Sequence, residues 1–204
     1  MKKTFLILLI LLLLLSLTAC STAKPENAVS SFLDAMKNGN TEKLYDYINT
    51  AQDDSSQMFN EEDMDEIFSN EDEAIDKVFK SAYNKLEYEI LGSEINGDNA
   101  IVETKISAPD FASIFSEIIE ESFTLALSSS FSTDTEEYNE EEMDELMNNM
   151  IVEKFSSDDL PMVENTVKIN LIKSDNGWLI DPDEDFYNAL TGNLLTLGDT
   201  FESE

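Results

Sequence analysis

The feature that most constrains the fold is a change in the spacing of apolar residues near Leu86. Before this point, apolar side chains recur every three or four residues, as on one face of an amphipathic helix. From Leu86 to Ile106 they alternate instead with charged and polar side chains. Such alternation is typical of a half-buried antiparallel strand pair, and Asn96-Gly97-Asp98 supplies the turn. The sequence therefore predicts helices combined with an antiparallel sheet.

The register of this first hairpin follows from which side chains must share the buried face. A two-residue Asn-Gly loop would place Ile90 opposite Glu103, so a core residue would face a solvent residue. A three-residue loop, Asn96 to Asp98, places Ile90 opposite Thr104 instead. We predict the three-residue loop, and a bulge at Gly92 is the feature that would alter it.

The order of elements along the chain defines the fold class. Helices come first, followed by a hairpin, a helical pair, a second hairpin and a short helix. This order predicts an α+β fold in which the N-terminal helices pack on a curved antiparallel sheet. The helical pair at 110–156 is then an insertion between the two hairpins. Helices are expected to begin at Pro25, to cover 41–48, 61–83, 110–128 and 140–156, and to end with one from Asp183 to Leu190. The second hairpin is expected at 163–180.

The residue types that are missing exclude several kinds of catalytic site. The chain has no His, no Arg and only one Cys, Cys20. A Ser-His-Asp site, a Cys-His site and a His-rich or Cys-rich zinc site therefore cannot be assembled. Without Arg there is no bidentate clamp for phosphate or carboxylate groups. We assign no catalytic residues and no cofactor, and we expect the protein not to be an enzyme.

The charge of the chain excludes one class of partner. There are 44 acidic residues against 12 basic ones, which gives a formal net charge of −32. Binding of nucleic acid through its phosphates needs clustered Lys and Arg, so nucleic acid is not an expected partner. We interpret the acidity as a solvated surface. Weak capture of divalent cations is the alternative.

Two acidic runs bear on that alternative. Asp181 to Asp185 has carboxylates at alternate positions, as in a calcium loop, but such a loop needs Gly where Phe186 stands and Glu where Gly192 stands. We favour the acidic start of a helix there, because carboxylates interact favourably with the helix dipole. The run Glu136 to Glu142 is interpreted as a solvated loop and helix start. We assign no metal site.

The N-terminus has the pattern of an export signal. Lys2 and Lys3 precede an apolar run of 13 residues, Phe5 to Leu17. Spanning a bilayer takes about 20 apolar residues, so a cleaved signal is favoured over a transmembrane helix. Leu17-Thr18-Ala19-Cys20 follows directly and resembles the bacterial lipobox. This resemblance implies transfer of diacylglycerol to the Cys20 thiol and cleavage between Ala19 and Cys20.

The predicted organisation follows from that motif. Residues 1–19 form the signal peptide, 20–24 the lipidated Cys and a short polar tether, and 25–204 a single α+β domain. Two acyl chains hold a protein stably on a membrane, whereas one chain binds reversibly. We therefore expect stable anchoring on the extracellular face of the cell membrane. We also expect the protein to be a monomer. Its expected partners are the membrane, through the diacylglycerol on Cys20, and an unknown envelope ligand or protein.

Three stretches of the expected domain are similar to a known group of proteins. They resemble Gram-positive lipoproteins built on a domain of unknown function, related to the ketosteroid-isomerase-like, cystatin-like cone fold. The resemblance covers most of residues 25–195 and brings no activity with it. It implies a sheet bent around helices, with room for a pocket at the wide end. The stretches are 28–40, the hairpin from 88–92 to 108–111, and 177–181 with 188–194.

One set of apolar residues is a candidate binding site. Met143, Met147 and Met150, with Phe115 and Phe123, could line an apolar groove for a peptide or a lipid, because Met adapts its shape to its partner. The interpretation that we favour is that the two helices bury these faces against each other and the sheet. The expected function is thus a non-catalytic binding or structural module. The alternatives are a small-molecule binder or isomerase-like enzyme with an Asp and a Tyr in the cone pocket, and a weak divalent-cation binder.

Overall fold

The sheet confirms the predicted fold class. The structure, a computed structural model, describes residues 24–49, 73–131 and 140–196. Within these ranges the chain forms a four-stranded antiparallel sheet whose strand order follows the chain order. Two hairpins joined through their inner strands make up this sheet. The strands are β1 (Glu87–Asn96), β2 (Asn99–Pro109), β3 (Met162–Ser174) and β4 (Gly177–Ile180).

The helices also follow the predicted order. Two of them, α3 and α4, lie between β2 and β3 in the chain, although β2 and β3 pair directly. The helical pair is therefore an insertion between the hairpins, as predicted. The signal peptide, Cys20 and residues 61–72 of the expected third helix lie outside the described residues. The helices are α1 (Pro25–Lys37), α2 (Glu73–Tyr83), α3 (Phe111–Phe131), α4 (Glu140–Phe155) and α5 (Glu184–Leu190).

The helix starts have local causes that the sequence shows. Pro25 occupies the first turn of α1, where its missing N–H is not needed. At α3, Asp110 Oδ1 accepts a hydrogen bond of 3.0 Å from the N–H of Ser113. At α5, Asp183 Oδ1 accepts a bond of 2.9 Å from the N–H of Phe186. Each carboxylate thus satisfies a backbone donor that has no partner within the helix.

The segment after α1 differs from its prediction. The expected helix at 41–48 is wrong, because two short 3-10 helices, Thr41–Lys43 and Tyr45–Tyr47, take its place. The physical reason lies at Ile48, which is extended and forms a parallel bridge with Ile180 of β4. The N–H groups of Lys43 and Tyr47 bond to carbonyl oxygens three residues back, as in 3-10 helices, and the extended Ile48 ends the segment. The chain instead lies along the outer edge of β4.

The β1–β2 hairpin combines a predicted pairing with a different turn. Ile90 lies opposite Thr104, as predicted. The predicted three-residue loop is wrong, however, since the turn is the two-residue loop Gly97-Asp98. Gly97 has a φ of 67°, which suits glycine at the first position of such a loop. A bulge between Ile90 and Gly92 adds one residue to β1 and restores the expected register beyond it.

The core lies between the inner face of the sheet and helices α1 and α5. Val29, Phe32 and Leu33 of α1 are fully buried. The ring of Phe32 lies 5.5 Å from that of Phe186 in α5. Burial of a side chain of this size contributes about 1.5–3 kcal/mol to stability. Packed apolar side chains therefore cover the inner face of the sheet.

The helical insertion joins the core through aromatic rings at the other end of the sheet. Strand β2 runs from the hairpin turn to Pro109, so α3 begins at the end of the sheet opposite that turn. The ring of Phe111 lies 5.5 Å from that of Tyr83 and 5.1 Å from that of Phe155. Edge-to-face rings at such distances attract each other beyond their area of burial. This aromatic cluster connects α2, α3 and α4.

Candidate functional site

The residues predicted to line an apolar groove do not all share one surface. Phe115 packs toward the core, with its ring 5.8 Å from that of Phe155. Met150 is buried and Met147 is partly buried against the same core. These three side chains are therefore packed against the core. The side chain of Met143 lies outside the described part of the chain.

Phe123 lies on the other side of α3 and does not join these residues. Its side chain is 64 % exposed. Along α3, Ile119 and Leu127 stand four residues before and after it, and they are 45 % and 43 % exposed. Residues four apart share one face of a helix. We call Ile119, Phe123 and Leu127 the apolar stripe.

The apolar stripe faces away from the core. The buried side of α3 carries Phe111, Ile114 and Ile118, which are at most 5 % exposed. Helix α3 is thus apolar on two sides, one in the core and one in solvent. The predicted groove took Phe115 and Phe123 together and did not include Ile119 and Leu127. The spacing of four residues does not separate the two sides, because Phe111 belongs to the same series.

A neighbouring side of α3 is acidic. Glu117, Glu120 and Glu121 are exposed on the same helix and, with Thr124 and Leu125, line an open groove of about 550 Å³. Lys154 of α4 reaches Glu117 at 2.9 Å and Glu121 at 2.7 Å. The hydrogen bonds that Lys154 donates to Glu121 and Glu117 raise its pKa above its usual value. This charged network joins the two helices of the insertion.

A second depression lies on the solvent face of the sheet. It has a volume of about 260 Å³ and is lined by Glu87, Tyr88, Glu89, Lys105, Ser107 and Glu164. Lys105 forms an ion pair of 2.8 Å with Glu164 across strands β2 and β3. The ammonium group is therefore already engaged by a carboxylate of the fold. The hydrogen bond and the charge of Glu164 raise the pKa of Lys105.

The Asp and Tyr side chains relevant to an isomerase-like site lie in two separate places. Tyr88 donates a hydrogen bond of 2.9 Å to Asp34 Oδ1 on the exposed side of α1. Tyr187 is buried, and burial together with the charges of Asp183 and Asp181 raises its pKa to about 12.

The acidic run from Asp181 to Asp185 is used within the fold. Asp183 caps α5 and also accepts a bond of 2.7 Å from Asn170 Nδ2 through its second oxygen. Asp181 accepts a bond of 3.0 Å from Asn49 Nδ2. In the part of the chain that the structure describes, no group of three or more potential ligands is arranged to hold a metal ion. The start of the other acidic run, residues 136–139, lies outside that part.

None of the helices within 24–49, 73–131 and 140–196 combines the length and the apolar character needed to cross a bilayer.

Comparison with known proteins places the fold but not a family. No family model matches the chain, and no curated protein matches it. Among solved structures, the crystal structure of a "putative lipoprotein (ycdA)" from Bacillus subtilis subsp. subtilis str. 168 is similar, with a TM-score of 0.52 and 19 % sequence identity. The similarity covers 85 % of this chain and 57 % of that one, so this chain spans little more than half of its length. At this identity the likeness is one of fold.

Proposed function

We propose that this protein is a lipid-anchored lipoprotein of the cell envelope that acts as a non-catalytic binding module. The lipobox-like sequence Leu17-Thr18-Ala19-Cys20 supports the anchor. The fold likeness to a Bacillus subtilis protein described as a lipoprotein supports it as well. Diacylglycerol on Cys20 would hold the domain at the extracellular face of the membrane.

The binding role depends on one observation, the apolar stripe on α3. Scattered apolar side chains are normal on protein surfaces, but contiguous ones mark sites of interaction. The stripe places three large apolar side chains in line, and the most exposed, Phe123 at 64 %, is in the middle. Aromatic residues near the centre of an interface often contribute most of its binding energy.

The proposed partner is a protein segment that presents apolar side chains beside Lys or Arg. Glu120 stands three residues before Phe123, beside the stripe, and the whole chain has a net charge of −32. Opposite charge on the partner would speed association and favour the correct pairing. From Ile119 to Leu127 the stripe runs for roughly 12 Å along the helix, enough for about two turns of a partner helix.

A defined peptide tests this proposal. The probe is a fluorescent amphipathic helix with Leu on one face and Lys at its border, and a peptide with Glu in place of Lys is the control. Fluorescence anisotropy at physiological salt measures binding to the wild type, to Phe123→Ala and to Leu91→Ala, which removes an exposed apolar side chain far from the stripe. We expect Phe123→Ala to weaken binding of the Lys peptide by about tenfold, since truncation of a central aromatic residue costs at least about 1–2 kcal/mol.

Two results would contradict the proposal in different ways. If both variants bind the Lys peptide as the wild type does, the stripe is not the binding surface. If mass spectrometry of the protein from its native host shows an unmodified, full-length N-terminus, the lipid anchor on Cys20 does not exist.

A further inference from the structure

The turn end of the β1–β2 hairpin carries exposed apolar side chains. Leu91, Ile95 and Ile101 are 49 %, 59 % and 40 % exposed. Leu91 and Ile95 belong to β1, and Ile101 belongs to β2. Ile95 lies opposite Ala100 and Ile101 lies opposite Glu94, so apolar side chains stand on both faces of the hairpin. We call these three residues the hairpin tip. The tip lies at the opposite end of the sheet from the start of α3, so it is separate from the apolar stripe.

Hydrogen bonds fix where the chain enters the fold relative to the hairpin tip. Ser93, which lies between Leu91 and Ile95 in β1, donates a bond of 2.7 Å from its Oγ to Glu26 Oε1. Farther from the turn, Tyr88 donates a bond to Asp34 near the end of α1. Helix α1 therefore lies along β1 with its first turn toward the hairpin turn. The chain before Pro25 leaves the domain beside the tip.

We propose that the hairpin tip rests in the interface of the membrane that holds Cys20. This inference depends on the proposed lipid anchor. Four residue steps separate Cys20 from Lys24, and fully extended they reach at most about 14 Å. The anchor thus keeps the tip close to lipid without any further partner. Transfer of exposed Leu and Ile side chains from water into the apolar part of the interface is favourable in proportion to the apolar area that is buried.

The charges near the hairpin tip permit this contact but limit it to the tip. Glu26, Glu94 and Asp98 are acidic, whereas Lys24 and Lys173 are basic, and the N–H of Lys173 bonds to the carbonyl oxygen of Asp98 at 2.8 Å. The charge there is mixed, while the chain as a whole has a net charge of −32. An anionic membrane repels such a body. We expect the tip to touch lipid while the acidic remainder stays in water.

Spin labels on the full lipidated protein test the inference. Acylation consumes the thiol of Cys20, the only natural Cys, so Ile95→Cys gives a unique labelling site. Leu127→Cys is the matched control, since Leu127 is also an exposed aliphatic residue but lies on the helical insertion. The proteins are reconstituted in phosphatidylcholine vesicles, and power saturation compares collisions of the nitroxide with oxygen and with a water-soluble nickel chelate. We expect the ratio of oxygen to nickel collisions to rise at position 95 and to stay at its solution value at position 127.

The outcomes separate this inference from the proposed anchor. Mass spectrometry of the same preparation reports the lipid on Cys20. If Cys20 is lipidated and position 95 keeps its solution ratio, the tip does not enter the interface, although the anchor stands. Dipolar broadening between labels at position 95 on two copies would show that a second chain covers the tip, and this result also overturns the inference. An unmodified Cys20 would remove the anchor itself.

Discussion

The helices at the two ends of the sheet bury their apolar side chains to different degrees. At the end near the hairpin tip, α1 directs Phe32 and Leu33 into the core, and both are fully buried. At the other end, α3 buries Phe111 and Ile114 but leaves Phe123 64 % exposed. The fold therefore does not need the apolar stripe for its own packing. Large apolar side chains that remain outside a filled core are the ones most available to a partner.

The polar contacts of the two ends differ as well. Helix α1 is tied to strand β1 by two separate hydrogen bonds, from Ser93 to Glu26 and from Tyr88 to Asp34. Helix α4 is tied to α3 through the Lys154 ammonium group, which contacts two carboxylates. Exposed ion pairs weaken with salt, whereas short hydrogen bonds at a strand depend on it much less. The insertion is thus the end that is more sensitive to solution conditions.

The largest expected effect comes from a pair of matched truncations, one at each end. Phe32→Ala should lower the free energy of unfolding by about 3–5 kcal/mol, because it leaves a cavity beside Phe186. Phe123→Ala should lower it by less than about 0.5 kcal/mol, because its ring is mostly in solvent. Urea denaturation measures both. Equal losses would mean that the stripe is part of the core and would remove the contrast between the two ends.

A second pair of variants tests how the insertion is attached to the sheet. Gly192 has a φ of 58°, and a Cβ there would clash with the Pro109 carbonyl oxygen and lie 2.6 Å from Asp110 Cα, where α3 begins. Gly192→Ala should destabilise the protein by about 2–5 kcal/mol, since backbone strain and overpacking add. At Gly97 an added Cβ has open space around it, so Gly97→Ala introduces only the strain of a positive φ. We expect Gly97→Ala to lower the free energy of unfolding by about 1–2 kcal/mol. Thermal or urea unfolding that gives similar losses would show that the close approach at Gly192 is relaxed at little cost.

The cap of α5 provides a smaller effect. Asp183→Ala removes the acceptor for the N–H of Phe186 and for Asn170 Nδ2, and we expect a loss of about 1–2 kcal/mol in unfolding free energy. Asp185→Ala is the control, because it removes the same charge from the first turn of the helix without removing the cap. Equal losses in urea denaturation would mean that the charge alone, through the helix dipole, accounts for the effect.

The parts of the fold that the sequence predicted well are those where one face is buried. On α1 the apolar residues at helical spacing are all buried, namely Val29, Phe32, Leu33 and Met36. In the first hairpin Ile90 lies opposite Thr104. The turn of that hairpin was not predicted, because a two-residue loop with a bulge in β1 and a three-residue loop without one give the same pairs beyond the bulge. Alternation reports which side chains share a face, and it does not count the residues in the turn.

The candidate site was predicted only in part for a related reason. Phe115 and Phe123 stand eight residues apart on α3, and at 100° per residue this separation turns the second about 80° away from the first. On a helix that is apolar on two sides, the sequence does not say which side meets the core. Packing against α4 decides it, through the contact of Phe115 with Phe155. The apolar stripe could therefore be assigned to solvent only from the structure.

The ion pairs of the insertion predict a small, salt-dependent effect. Lys154→Met should lower the melting temperature slightly at low salt, because it leaves Glu117 and Glu121 close together without their shared cation. The difference from the wild type should shrink as salt rises to 1 M, since the charges are exposed. Lys168→Met on the sheet is the control for the loss of one positive charge from an acidic protein. A difference for Lys154→Met that does not change with salt would assign the effect to packing of the side chain instead.

The smallest expected effect concerns the hydrogen bond that sets the start of α1 beside the hairpin tip. The bond from Ser93 lowers the pKa of Glu26 below 4.5, so Ser93→Ala should raise that pKa toward 4.5. A carboxyl group with a lowered pKa in the folded state stabilises the fold above its unfolded pKa, and this contribution is lost as the pH falls through the folded pKa. The stability difference between wild type and Ser93→Ala should therefore be largest above about pH 4.5 and decrease in more acidic solution. NMR titration of the Glu26 carboxyl carbon measures the shift, and Ser116→Ala on α3 should leave it unchanged. If Ser93→Ala leaves the Glu26 pKa where it was, that bond does not hold α1 against β1, and the placement of the start of α1 beside the hairpin tip loses its main support.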